Sequence, residues 1–80
     1  MHEMHIVKDL FQDLIQRAGK EGALRVTRIF LTLGKFSELN EDILRHFFQT
    51  HSQGTVLEGA VLEITTSPTR ELRLVSFDCV

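Results

Sequence analysis

Between Met4 and Ala18 the apolar residues Ile6, Val7, Leu10, Phe11, Leu14, Ile15 and Ala18 recur at spacings of three and four. That period gathers them on one stripe of a helix, with Lys8, Asp9, Gln12, Asp13, Gln16 and Arg17 on the other side. Gly19 and Gly22, flanking Lys20-Glu21, end the helix and turn the chain. From Leu24 to Leu33 the period changes to two. Ile29, Leu31 and Leu33 alternate with Arg28, Phe30 and Thr32, which predicts a strand with one face against a core. Asn40 as N-cap, Glu41 and Asp42 in the first turn, and Leu39 positioned to staple onto Leu44 announce a second helix. Its apolar face is Ile43, Leu44, Phe47 and Phe48, and Gly54 marks its exit. After the connection Val56-Leu57-Glu58-Gly59, strands are expected from Ala60 to Thr66 and from Glu71 to Cys79. The turn-rich Ser67-Pro68-Thr69-Arg70 between them predicts a hairpin.

The order helix-strand-helix-strand-strand defines an α+β domain, in which two helices packed on one face of a three-stranded sheet bury both apolar stripes. Composition fits one folded domain spanning residues 1–80: 42% of residues are hydrophobic and 25% charged, too apolar for a disordered chain. A net charge of −2 without a basic stripe argues against a nucleic-acid partner. There is no apolar run long enough to span a membrane and no signal-peptide core. A single cysteine, Cys79, cannot close an internal disulfide, which fits a reducing, cytoplasmic setting. The six phenylalanines are core candidates, with Phe36 the one expected at the surface. No nucleophile-base set, phosphate loop or carboxylate pair suggests an enzyme.

The remaining chemistry sits in Met1-His2-Glu3. A free α-amine, the peptide nitrogen that follows it and a histidine imidazole can close two fused chelate rings on one metal. Planar nitrogen donors of this kind suit Ni(II) or Cu(II) better than Mg(II) or Ca(II). Glu3 would equally suit the positive first turn of a helix. His5 is expected at the surface. His46 and His51, about 140° apart around a helix axis, do not make a one-turn metal pair and read as surface residues. Cys79 reads as incidental or packed rather than as a nucleophile.

Several stretches, taken in order, carry a resemblance. They are Met1-His2-Glu3-Met4 leading into Ile6-Val7, then Val26-Thr27-Arg28 in a strand that closes on Gly34, then Gly54-Thr55-Val56-Leu57-Glu58-Gly59-Ala60 with Leu62-Glu63-Ile64, and finally Glu71 to Phe77. With these the chain resembles the hydrogenase and urease nickel-incorporation proteins, the HypA/HybF nickel metallochaperones. The resemblance implies a nickel-binding domain that delivers Ni(II) for [NiFe]-hydrogenase or urease maturation. It implies Met1, His2 and Glu3 as the metal residues, and a HypB-type GTPase and the hydrogenase large subunit as partners. A fourth metal position would fall to the Glu3 peptide nitrogen, the Glu3 carboxylate or water. Members of the family carry a zinc domain with two Cys-x-x-Cys pairs between the last two strands. Here that place holds only Ser67-Pro68-Thr69-Arg70, so no structural zinc is expected. The family's acidic residue before the second helix is replaced by Asn40. A zinc-less relative that serves as a protein-interaction module is the alternative, and pairing along a sheet edge leaves a homo-oligomer open.

Overall fold

A computed structural model describes the backbone of residues 2–80 and the side chains of residues 4–80. Its elements follow the expected order: α1 (His2–Lys20), β1 (Val26–Gly34), α2 (Glu41–His51), β2 (Val61–Ser67) and β3 (Leu72–Cys79). Among the described residues no helix is long and apolar enough to cross a membrane.

Of the stripe read from the sequence, Val7, Phe11, Leu14 and Ala18 enter the core, Leu10 and Ile15 are half-buried and Ile6 is exposed. The helix stops two residues later than its last apolar position. Gly22 takes a positive φ of 69°, and the Ala23 amide reaches back to the Ala18 carbonyl at 3.0 Å while Gly22 binds Gly19 at 3.0 Å. Those two bonds make a Schellman cap, which satisfies carbonyls the helix would otherwise leave without partners.

The sheet departs from the expected pairing. Its strand order is β2-β1-β3, so β1 is central and the last two strands do not form a hairpin. β2 runs parallel to β1, with Ile29 beside Leu62 and Leu31 beside Ile64. β3 runs antiparallel on the other side, with Leu31 beside Leu74 and Leu33 beside Leu72. The reason lies in β1, whose Val26, Ile29, Leu31 and Leu33 are all buried and which is the strand best suited to the middle. The register slips between Val26 and Arg28 and again between Phe30 and Leu31. The first slip, a bulge at Thr27, explains how Val26 and Ile29 share one face at an odd spacing.

Residues 68–71 therefore cross the end of β1. Two strand spacings, about 10 Å, are within reach of four residues at about 3.3–3.6 Å each. The crossing is sealed by main-chain bonds. The amides of Gly34, Lys35 and Phe36 donate to the carbonyls of Glu71 (2.7 Å), Ser67 (2.8 Å) and Thr69 (3.0 Å). The strap lies so close that a Cβ on Gly34 would clash with the Thr69 carbonyl.

Both helices cover the same face of the sheet. Leu44, Phe47 and Phe48 of α2 join the α1 stripe and the inner residues of β1 in one core. Phe11, Phe47 and Phe48 pack edge to face with ring centroids 5.4–6.0 Å apart, the geometry that aromatic quadrupoles favour. The connection from α2 to β2 is anchored by buried Leu57. Thr55 steadies it, its hydroxyl donating to the Ser52 carbonyl (2.7 Å) and accepting from the Leu57 amide (3.1 Å). Much of the Gly54–Ala60 motif is thus explained by packing. Phe36 is 62% exposed, as expected.

Gly34→Ala is expected to lower unfolding free energy by about 1–3 kcal/mol, because the strap must lift off β1. Gly19→Ala, in open space on a helix, should raise it by up to about 1 kcal/mol. Urea denaturation of both variants tests the contrast; equal stabilities would mean that the strap is not tightly seated.

Candidate metal site at the start of the first helix

Of the three residues singled out from the sequence, Met1 lies outside the described residues, as do the side chains of His2 and Glu3. What is described is the backbone that carries them. His2 is the first residue of α1, so the His2 and Glu3 amides belong to the first turn, whose N–H groups have no intrahelical acceptor. A metal could displace a proton from such an amide without breaking a helical hydrogen bond. The positive end of the helix macrodipole also favours the resulting anionic nitrogen.

The surroundings come from α2. Met4, half-buried, shares a cleft of about 360 Å³ with Asp42, Ile43, His46, Phe47, Thr50 and His51. Asp42 and His46 are both exposed and stand one helical turn apart, so they share a face of α2. The sequence reading weighed His46 only against His51, found no one-turn pair there, and passed over Asp42 and His46, although their spacing was visible. His51 is otherwise engaged. Its ring stacks on Phe47 with centroids 4.1 Å apart and planes 17° apart. Its Nδ1 lies 3.0 Å from the Phe47 carbonyl, which can only accept, so Nδ1 carries the proton. His5 is exposed on α1, as expected. Among the described residues, no three His, Cys, Asp or Glu side chains gather into a metal cage.

Asn40 has a structural task. Its side-chain oxygen accepts from the Ile43 amide at 2.9 Å, capping α2. A smaller pocket lies near the strap, where Ile6 of α1, Phe36, Leu39 and Arg70 meet. It places residues 68–71 at the same end of the molecule as the start of α1. Cys79 is exposed on β3, beside Val26.

The elements define a small α+β domain in which two helices cover a mixed three-stranded sheet. Residues 1–73 match the family described as hydrogenase/urease nickel incorporation, metallochaperone, HypA. The chain belongs to that family. It is 34% identical over 70 residues to hydrogenase maturation factor HypA of Dehalococcoides mccartyi, covering 88% of this chain and 59% of that protein. It is 43% identical over 68 residues to the protein of the same name from Trichormus variabilis, covering 85% and 58%. The chain thus spans a little under three fifths of the length of these relatives. In fold it is similar to the solution structure of the Ni metallochaperone HypA from Helicobacter pylori, with a TM-score of 0.77 at 15% identity and 95% of each chain covered. A second solution structure of a HypA protein gives 0.79 at 19% identity, covering 100% of this chain and 97% of that one.

Asn40→Ala is expected to cost about 0.5–2 kcal/mol of stability, whereas Asn40→Asp retains the cap and adds a favourable charge at the helix start. Thermal or urea unfolding with a chelator present measures this; an Ala variant as stable as the parent would remove the capping role.

Proposed function

We propose that this domain binds Ni(II) and delivers it during the maturation of [NiFe]-hydrogenase or urease, holding the metal with Met1, His2 and Glu3. The observation that carries the proposal is the family match, which includes those three residues. The backbone supports it, because α1 begins at His2 and leaves its first amides without helical partners. In this mechanism the Met1 amine and His2 imidazole bind as neutral donors. The His2 peptide nitrogen binds after losing its proton, and Glu3 contributes its peptide nitrogen or its carboxylate. The domain carries metal and performs no reaction on it. Delivery would proceed through a HypB-type GTPase and the hydrogenase large subunit, with cytoplasm as the setting. A four-thiolate zinc site is not part of the proposal, because Cys79 is the sequence's single cysteine.

An α-amino group titrates near pH ~7.7–8.0. Protons therefore compete with metal as pH falls, and affinity is lost in the acid direction. Calorimetric titration with Ni(II), combined with intact-mass measurement, is expected to show one metal per chain at pH 8 and at least tenfold weaker binding at pH 6. His2→Ala, or residues added before Met1, should weaken binding at pH 8 by tenfold or more. Unchanged affinity in both altered proteins would rule out the N-terminal site.

A further inference from the structure

We propose that β3 is the edge through which two copies of this chain pair, antiparallel and two-fold symmetric, into one continuous sheet. The two edges of the sheet differ. On the β2 side, Arg45 of α2 donates to the Leu62 carbonyl at 3.2 Å. That sets a charged side chain beside the edge, a usual guard against strand addition. β3 has no such guard among the described residues, where the one side-chain bond to its main chain comes from Thr27 of β1. Its inner residues Leu72, Leu74 and Phe77 are only half-buried against the core.

The occupant follows from the register. The Glu71 carbonyl accepts from the Gly34 amide, and Val80 exchanges both main-chain bonds with Arg25 (2.9 and 3.4 Å). Main-chain groups alternate in direction along a strand, so Leu72, Leu74, Phe77 and Cys79 aim theirs away from β1, at the open edge. Val75, 64% exposed, is the extra residue at the slip beside Phe30 and Leu31. It brings Arg73 and Asp78, at an odd spacing, onto one face, beside Thr32 and Arg28. Leu74 and Phe77 share the other face, beside Leu31 and Ile29. A two-fold axis at Val75-Ser76 then sets Leu74 against the partner's Phe77 and Leu72 against the partner's Cys79, with free main-chain groups on both sides. The same axis sets Arg73 against the partner's Asp78, and symmetry repeats each contact. Opposite charges facing across strands stabilise the pair. Within the chain these charges are unspent: Arg28 is held by Glu63, and among the described residues neither Arg73 nor Asp78 has an ion-pair partner. Eight residues a side fall short of the roughly 20–30 of a standard interface, so the dimer is weak and reversible. The pairing uses no metal and does not rest on the nickel reading.

Sedimentation velocity of the full chain over a hundredfold dilution series, with reductant and chelator present, is expected to show a monomer–dimer equilibrium. Amide hydrogen exchange by NMR should slow severalfold at Leu74 and Phe77 as the dimer fills, and change far less at Arg73 and Asp78, already bonded to β1. Arg73→Asp and Asp78→Arg each set like charges opposite one another, and each should weaken the dimer at least tenfold. An equimolar mixture of the two restores opposite charges at both positions and should recover pairing close to the parent's. Circular dichroism checks that both variants fold; the exchange pattern of the parent decides if either does not. A parent that stays monomeric throughout, a dimer indifferent to both substitutions, or a mixture without recovery would overturn the proposal.

Discussion

Everything in this domain is paired through β1. The strand buries one face beneath two helices, takes β2 in parallel along one edge and takes β3 in antiparallel along the other. Neither outer strand pairs with the other, so the sheet exists only while β1 is in place. Its apolar residues Ile29, Leu31 and Leu33 also form the floor on which α1 and α2 meet through Phe11, Phe47 and Phe48. The helix starts and the cleft between them inherit their positions from that floor.

The elements were legible in the sequence because each carries a local signal. The stripe of α1, the alternation in β1, the Asn40 cap and the turn residues around Pro68 act within a few positions of themselves. Strand pairing was not legible, for a physical reason. A four-residue link rich in serine, threonine and proline can close a hairpin or step over a neighbouring strand with equal ease. The choice is made by how strongly β1 requires partners on both edges. Gly34 was the available clue, because a glycine where a strand ends leaves room for backbone to cross it.

The chemistry divides in the same way. Met1-His2-Glu3 can be read as a donor set from residue type alone, while α1 begins at His2, two residues before the stripe read from Met4 onward. Asn40, expected from the sequence to cap the second helix, does so, its side-chain oxygen accepting from the Ile43 amide. Asp42 and His46 were visible as a one-turn pair, yet only tertiary structure shows that their helix shares a cleft with Met4. Sequence spacing identifies donors on one helix; the partner helix decides what they are near.

The strap over β1 changes what it means to lengthen this protein between its last two strands. At a hairpin tip, extra residues can be added with little disturbance to the ladder beneath. Here they would have to arise from a segment whose carbonyls hold the amides of Gly34, Lys35 and Phe36. A larger graft at this point would trade away that seal unless it preserved both feet of the crossing. It would also stand over the Ile6–Arg70 pocket, at the end of the molecule where α1 begins. Architectural variation between β2 and β3 is therefore variation in the immediate neighbourhood of the first helix.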